Sequence, residues 1–188
     1  MPLYAEQTFK GLDYTQVPLS PSEYEQCTFE QCNFSGLDLR GNNFENCTFK
    51  NCDLSNTKVP DVSFQQVRFE HCKMLGIHFH ASNPFLLEFI FSGCQLDYCS
   101  FYNLKIKKSK FINCRLLETD FTKADLTGSD FQGSDLSGTT FDQTTAEKVD
   151  FRNAIHYSID PEINRIKGAR FDLDGLPGLL GRYGIKIG

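Results

Sequence analysis

Tryptophan is absent from this 188-residue chain, and acidic residues outnumber basic ones. No stretch approaches the roughly 20 consecutive apolar residues that a membrane-spanning helix needs, so no such helix is predicted. The first residues lack a basic segment followed by an apolar one, which predicts no secretion signal and a cytoplasmic location. The formal net charge of −5 disfavours direct binding to nucleic acid, whose phosphates attract Lys and Arg.

The chain also lacks the short motifs that mark many enzymes. It contains no nucleophile elbow, zinc-protease helix, Walker A loop or dinucleotide fingerprint. His78 and His80 are spaced so that they can share one side of the chain, but no third ligand lies near them. Exposed turn histidines are therefore favoured over a metal site, and no enzyme activity, metal or cofactor is predicted.

What the sequence does contain is an apolar or aromatic residue at every fifth position. The series runs from Phe9 to Phe79, slips by two residues, and continues from Phe91 to beyond Phe151. Sixteen of the 18 Phe residues belong to it. A period of five fits neither a helix nor a simple strand. We therefore predict a chain that turns a corner every five residues and directs all of these side chains inward.

A second series supports a narrow interior. The residue two places before each large one is small, and all eight cysteines occupy this position. Alternating large and small side chains allow a thin core to reach native packing density. The cysteine spacings include no Cys-x-x-Cys zinc knuckle, and disulfides are unusual in the cytoplasm. The cysteines are therefore predicted to be free thiols that pack as small apolar side chains.

Residues 124–128 read Ala-Asp-Leu-Thr-Gly, residues 134–138 read Ser-Asp-Leu-Ser-Gly, and residues 32–36 read Cys-Asn-Phe-Ser-Gly. These segments resemble the A(D/N)LXX repeat of pentapeptide-repeat proteins, and the resemblance covers roughly residues 23 to 171. It implies an all-β fold, a right-handed quadrilateral β-helix with four repeats in each coil. Residues about 20 apart would then stack, with coils about 4.8 Å apart. The expected aromatic stacks are Phe91, Phe111, Phe131, Phe151 and Phe171 on one face, and Phe101, Phe121 and Phe141 on the opposite face.

The register slip divides the chain. We interpret residues 1–22 as an N-terminal cap, 23–80 and 91–172 as two solenoid segments, 81–90 as a break, and 173–188 as a C-terminal dimerisation segment. The Asn-Pro pair in the break predicts a bulged coil, with a short helical turn over residues 85–89. Its apolar residues either plug the bulge, which we favour, or form a loop that contacts a partner. The candidate loop residues are Asn83, Pro84, Phe85, Leu86 and Glu88.

The C-terminal segment abandons the five-residue period. It predicts a short helical segment with one apolar side, followed by an extended Ile-Lys-Ile. Such an end either caps one protomer or pairs across a two-fold axis. It is similar to the endings of topoisomerase-protecting pentapeptide-repeat proteins, which implies a head-to-head homodimer. The candidate dimerisation residues are Leu176, Leu179, Leu180, Tyr183, Ile185 and Ile187.

Charge is concentrated in the second half. Eight acidic residues and only two basic ones, Lys123 and Lys148, lie between residues 118 and 150. Carboxylates at regular intervals on a rigid rod can present a field like that of DNA phosphates to a basic saddle. The alternative is that Asp is simply the usual residue before the central Leu or Phe of this repeat. The candidate acidic band is Glu118, Asp120, Asp125, Asp130, Asp135, Asp142, Glu147 and Asp150, and a basic patch precedes it at Lys105, Lys107, Lys108 and Lys110.

The chain length, the break, residues 160–166 and the C-terminal end are similar to the subgroup that protects DNA gyrase, which includes quinolone-resistance, albicidin-resistance and microcin-immunity proteins. This resemblance implies a non-enzymatic DNA mimic that binds DNA gyrase, and by extension topoisomerase IV, and confers resistance or self-immunity. The large loops of some quinolone-resistance proteins are not evident, which favours protection against a peptide-like toxin. The alternative is a scaffold or regulatory module with another protein partner, because fold does not determine function.

Overall fold

The molecule is a four-sided β-solenoid. The computed structural model describes residues 1–17 and 19–186. Strands on the same side pair in parallel with a register of twenty residues, so that Tyr4 lies opposite Tyr24 and Phe44 opposite Phe64. The strands are β1 (Leu3–Ala5), β2 (Thr8–Lys10), β3 (Glu23–Glu25), β4 (Thr28–Glu30), β5 (Asn43–Glu45), β6 (Thr48–Lys50), β7 (Ser63–Gln65), β8 (Val67–Glu70), β9 (Phe89–Ser92) and β10 (Lys110–Ile112).

These strands form two sheets on adjacent sides, in the orders β1-β3-β5-β7 and β2-β4-β6-β8-β9-β10. Beyond β10 the coils consist of tight turns joined by isolated parallel bridges. In one such turn the amide of Leu104 donates to the carbonyl of Phe101 at 3.2 Å, and Asn103 between them has a φ of 56°. This is a type II turn, whose third residue must adopt a left-handed conformation. The requirement explains why Gly and Asn recur two residues after each inward residue.

We name the four sides A to D by the inward residues that stack on them. Side A carries Tyr24, Phe44 and Leu126; side B carries Phe29, Phe49 and Phe131; side C carries Phe34, Leu54 and Leu136; side D carries Leu39, Phe101 and Phe121.

Two aromatic columns fill the interior in the second half of the rod. On side B the rings of Phe111 and Phe131 stack with centroids 4.7 Å apart, and Phe131 and Phe151 follow at 5.3 Å. On side D, Phe101 and Phe121 stack at 5.0 Å. The two columns meet edge to face, as Phe121 and Phe131 do at 5.6 Å, which is the preferred geometry for aromatic pairs. The predicted stacks on opposite faces are confirmed.

The small positions are filled by buried thiols. Each of the eight cysteines is free and buried, as the second series predicted. Cys52 and Cys72 donate their S–H groups to the carbonyls of Phe29 and Phe49, both at 3.3 Å. Burial raises the pKa of Cys47 to about 12 and that of Cys99 to about 12. The cysteines are Cys27, Cys32, Cys47, Cys52, Cys72, Cys94, Cys99 and Cys114.

We expect all eight thiols to react slowly with an aromatic disulfide reagent in the native protein and rapidly after denaturation. The reason is that the thiolate is the nucleophile, and burial disfavours both the thiolate and the approach of the reagent. The measurement is thiol titration at mildly alkaline pH, with and without denaturant. A single fast-reacting thiol in the native protein would contradict this packing.

The break both plugs the core and exposes a turn. Residues 85–89 do not form the predicted helical turn: Phe85 and Leu86 form a tight turn with 65% and 61% exposure, and β9 begins at Phe89. The only helical residues near the break, in the part of the chain that the structure describes, are the 3₁₀ turn Phe79–Ala81. Phe85 and Leu86 turn outward, and Leu87, which follows them and is bridged to Gln65 of side A, is buried in the core. Phe89 takes a small position opposite Val67 and packs 5.2 Å from the ring of Phe79.

The C-terminal segment closes the last coil. It consists of the 3₁₀ segments Leu173–Leu179 and Gly181–Tyr183, the first of which contains Pro177. A 3₁₀ helix repeats every three residues, so Gly175 and Gly178 share one side, and both lie against Tyr157. The amide of Ile159 donates to the carbonyl of Gly178 at 2.9 Å. None of the described helical segments has the length and apolar character that a membrane crossing needs.

The candidate dimerisation residues differ in exposure. Leu179 packs against the core and Leu180 is half-buried, whereas Leu176, Tyr183 and Ile185 are exposed. Ile187 lies outside the described residues. The segment therefore caps its own protomer and still presents apolar side chains outward, and the homodimer stays a prediction.

Replacing Gly178 by Ala is expected to loosen this closure at a cost of about 1–3 kcal/mol, the usual range for overpacking. A Cβ atom there would lie 2.3 Å from the carbonyl oxygen of Tyr157. This oxygen belongs to the backbone and cannot easily move away. Gly181→Ala is the matched control, because its Cβ would meet only the Ser158 hydroxyl, at 3.6 Å. Thermal melting and limited proteolysis of the C-terminal end report the effect. Equal behaviour of the two variants would exclude close packing at Gly178.

Candidate functional site

The candidate acidic band encircles the rod instead of running along one side. Asp120, Asp125, Asp130 and Asp135 each precede the inward residue of four consecutive repeats. Because one coil contains four repeats, these residues fall in turn on sides D, A, B and C. Residues that are neighbours in sequence are therefore divided among four surfaces.

Three acids of the band are neutralised by a neighbouring Lys or Arg, and a fourth, Asp135, lies beside a histidine. Arg152 donates to Asp150 through its guanidinium, and this bond holds the pKa of the Asp150 carboxyl below its usual range. Such pairs present little net charge to a partner. The ion pairs are Asp125 with Lys107 at 3.2 Å, Glu147 with Arg165 at 2.7 Å, and Asp150 with Arg152 at 2.7 Å. Asp135 lies 2.9 Å from a ring nitrogen of His156, which carries charge only when it is protonated.

The other four acids, Glu118, Asp120, Asp130 and Asp142, form no ion pair within the described residues. Three of them lie on or beside side D: Asp120 on the side itself, Glu118 at its corner with side C, and Asp142 in the bend at its corner with side A. Asp130, the fourth unpaired acid, lies on side B, where its backbone forms a β-bridge with Lys110 in the preceding coil. Negative charge therefore exceeds positive charge around the second half of side D, where Lys123 lies beside Asp142.

The carboxylates of side D are held by their own turns. Asp120 Oδ1 accepts the amide of Thr122 at 2.9 Å. Further along, Arg182 contacts Asp160 at 2.8 Å and Glu162 at 2.9 Å, which fastens the C-terminal segment to this side. The amide of Glu162 and the guanidinium of Arg182 lower the pKa of Asp160.

A polar ladder on side D was not anticipated from the sequence. Ser100 Oγ lies 3.1 Å from His80 Nδ1 and donates to Asp120 Oδ2 at 3.2 Å. A hydrolase triad needs the histidine between serine and carboxylate, whereas here the serine is in the middle. His78 and His80 do share side D, with ring centroids 5.4 Å apart, and the described residues contain no cluster of three metal ligands. Applying the coil spacing to the polar positions would have revealed this ladder.

The exposed turn and the basic patch are adjacent. Lys107 and Lys108 of the patch border a depression of about 350 Å³ that Leu86 and Glu88 of the candidate loop also line. Asn83 donates from its side-chain amide to Ser63 Oγ at 3.3 Å and accepts the amide of Phe85 at 3.0 Å, which shapes the turn. Pro84 is exposed beside it. The structure therefore brings together two features that are separate in the sequence.

Comparisons with known proteins agree with this architecture. A family profile described as "Pentapeptide repeat region" matches residues 22–101 and 62–141. A trypsin-treated form of QnrB1, a plasmid-mediated fluoroquinolone resistance protein, is 21% identical over 99% of this chain and 97% of that chain, with a TM-score of 0.64. Full-length QnrB1 is 20% identical over 97% and 100%, with a TM-score of 0.56. HetL, a pentapeptide-repeat protein involved in heterocyst differentiation regulation from Nostoc sp. strain PCC 7120, is 16% identical over 92% and 85%, with a TM-score of 0.43. No curated protein matches the sequence.

Proposed function

Because this chain belongs to the pentapeptide-repeat family, we propose that it works by binding another protein, and that this partner is DNA gyrase, which it protects from a poison. The single observation that carries the proposal is the net negative surface that Glu118, Asp120 and Asp142 form on and beside side D. A surface of this sign suits a protein groove that ordinarily holds the phosphates of DNA.

The rigidity of the solenoid also favours binding of this acidic surface to such a groove. The carboxylates sit on coils whose interior is a continuous aromatic column, so their spacing along the rod is fixed before binding. The Asp120 side chain is also oriented by the Thr122 amide. A preorganised surface loses little conformational entropy on association. Complementary charge raises the association rate and selects the partner.

The extent of the structural likeness supports protection against an antibiotic. The shared fold includes almost the entire length of QnrB1, which is described as a fluoroquinolone resistance protein. We extend the proposal to topoisomerase IV, whose DNA-binding surface is basic like that of gyrase. We retain a peptide-like toxin as the favoured poison. The break here supplies only one short exposed turn, that of Phe85 and Leu86.

The test is a supercoiling and cleavage assay with purified gyrase, titrated with this protein in the presence of a quinolone, albicidin or a microcin-type toxin. We expect one of the three poisons to lose its effect: supercoiling returns and trapped cleavage falls. Direct capture with isolated gyrase subunits then identifies the contact. If the protein neither protects nor binds gyrase at micromolar concentration, the proposal is wrong.

A second candidate function is a scaffold or regulatory module for a different protein. It is favoured by the exposed apolar turn beside Lys108, since an apolar pair next to a cation suits an acidic partner better than a basic groove. In that case capture experiments would yield a partner other than gyrase, and the acidic side D would reflect repeat composition.

The double variant Phe85→Ser with Leu86→Ser separates the two surfaces. Both side chains are more than half exposed, so we expect stability to change by less than about 0.5 kcal/mol. We also expect gyrase protection to persist, because the proposed contact is on side D and the turn is on side A. Thermal melting and the protection assay are the measurements. Loss of protection in a folded variant would move the contact to the turn.

A further inference from the structure

Two histidines lie side by side on the surface of side D. His78 and His80 flank the inward residue Phe79, and both are exposed whereas Phe79 is buried. Their ring centroids are 5.4 Å apart, and the ring planes are nearly perpendicular, at 84°. Neutral imidazole is the commonest metal ligand among protein side chains, so this pair is a candidate chelate.

The hydrogen bonds of Ser100 determine which nitrogen of His80 carries the proton. A serine hydroxyl has one proton to donate and two lone pairs that accept. Ser100 Oγ donates to Asp120 Oδ2 at 3.2 Å and accepts the amide of Tyr102 at 3.3 Å. Toward His80 Nδ1, 3.1 Å away, it can therefore act only as an acceptor. Neutral His80 then holds its proton on Nδ1, which leaves the lone pair of Nε2 free for a ligand.

This arrangement is typical of histidines that bind metals. A ligating imidazole usually donates its other ring N–H to a carboxylate, a carbonyl or water, and this bond fixes its tautomer and orientation. Here the bond passes through Ser100 to Asp120, whose other oxygen accepts the amide of Thr122 at 2.9 Å. The spacing in the sequence favoured plain turn histidines, and this ladder is the observation that favours a ligand instead.

We propose that His78 and His80 together bind one divalent transition-metal ion of the class that imidazole prefers, such as zinc. Two imidazoles that share a tetrahedral ion through bonds of about 2.0–2.1 Å have ring centroids roughly 5 Å apart. The observed separation of 5.4 Å is close to this value. His80 is held by Ser100, and the exposed His78 ring can turn to complete the pair. The part of the chain that the structure describes contains no group of three ligands, so water occupies the remaining positions.

The charges around the pair neither exclude nor attract a cation strongly. Three basic and three acidic residues lie on side D and its corner with side A between residues 38 and 123. They are Asp38, Arg40, Lys58, Asp61, Asp120 and Lys123. Because these charges balance, the two imidazoles decide which ions bind. Hard cations such as Mg²⁺, which prefer oxygen ligands, should therefore bind here poorly.

Zinc titration of the isolated full chain by calorimetry tests the site and does not depend on the gyrase proposal. We expect one zinc ion for each chain, and His78→Ala and His80→Ala should each lower the affinity at least tenfold. His71→Asn is the matched control: His71 is also exposed, but it lies on another corner with a φ of 53°, which Asn adopts readily. If the native protein binds zinc no better than the two variants, or if Mg²⁺ displaces the zinc, the site is wrong.

Cobalt distinguishes the histidine pair from the thiols. A cysteine thiolate bound to Co²⁺ produces a charge-transfer band in the near ultraviolet, which imidazole and water ligands do not. All eight cysteines are buried, so we expect no such band. The visible bands of Co²⁺ should instead be lost in His80→Ala and kept in His71→Asn. A thiolate band in the native protein would assign the metal to the cysteines and reject the site.

The tautomer of His80 tests the ladder itself, because Ser100 is a positioning residue that acts through this ring. In the metal-free protein, long-range ¹H–¹⁵N NMR should place the proton of neutral His80 on Nδ1. Ser100→Ala should move it toward Nε2, the position that free histidine prefers, and weaken zinc binding about tenfold, as loss of an outer-shell partner does. Thermal melting verifies that this variant is folded. Native His80 with its proton on Nε2 would overturn the proposal, since that nitrogen would then lack its free lone pair.

Discussion

Replacement of Phe131 by Ala is expected to lower the free energy of unfolding by about 3–5 kcal/mol, the range observed for a buried aromatic residue. Phe131 has no exposed surface and stacks between Phe111 and Phe151 at 4.7 and 5.3 Å. It also meets Phe121 edge to face at 5.6 Å. A methyl group would leave a cavity in a core only one side chain wide, where the neighbouring coils are fixed by their ladder and cannot collapse into it.

Denaturant unfolding measures this loss, and Phe85→Ala is the control. Phe85 is 65% exposed in the break, so its truncation should change stability by less than about 0.5 kcal/mol. Phe131→Leu should fall between the two, because Leu is the other residue that this repeat places at inward positions. Melting curves that do not distinguish Phe131→Ala from Phe85→Ala would contradict the stacked core.

Removal of the three charges that are unpaired on side D is expected to reduce gyrase protection at least tenfold. The variant combines Glu118→Gln, Asp120→Asn and Asp142→Asn, and protection is read as the concentration that restores half of the supercoiling. Tenfold corresponds to about 1.4 kcal/mol, a modest loss for three charges facing a basic groove. Asn keeps the oxygen that accepts the Thr122 amide at 2.9 Å, so the turn at position 120 should survive.

The matched control removes the same number of charges from the other sides. It combines Asp125→Asn, Glu147→Gln and Asp150→Asn, whose carboxylates are paired with Lys107, Arg165 and Arg152. Because these acids present little net charge outward, we expect less than about threefold change in protection. Equal losses in the two variants would show that total charge, and not side D, determines protection. No loss in either would remove charge mimicry from the proposed mechanism.

The period of five identified the inward residues correctly because it reflects a strictly local constraint. Each turn places one large side chain inside, so the stack of Phe111 on Phe131 could be predicted from their spacing alone. The same holds for the buried cysteines two positions earlier. The break was less predictable: its length showed that the period fails, but not which residue would leave the core. The packing of Phe89 opposite Val67 depends on the space left when Phe85 and Leu86 turn outward.

The acidic band shows the opposite case. Several of its residues are five positions apart, and each interval of five moves to the next side of the rod. Which acids share a surface therefore cannot be recognised from their order along the chain. Whether a carboxylate is neutralised depends on a residue one coil away, as for Asp125 with Lys107 or Glu147 with Arg165. The net charge of each side therefore depends on which charged side chains lie next to each other in adjacent coils.

By itself, the sequence determined that this chain is a narrow four-sided solenoid with a thiol-lined and phenylalanine-filled core, interrupted once and closed by a different C-terminal segment. Those features follow from interactions that repeat every five residues and need no knowledge of distant neighbours. Only the tertiary structure decided which acids remain unpaired, that three of these four lie on or beside side D, and that Gly178 rests on Tyr157. These contacts join residues about 20 or more positions apart, and their outcome depends on side chains that happen to meet across adjacent coils.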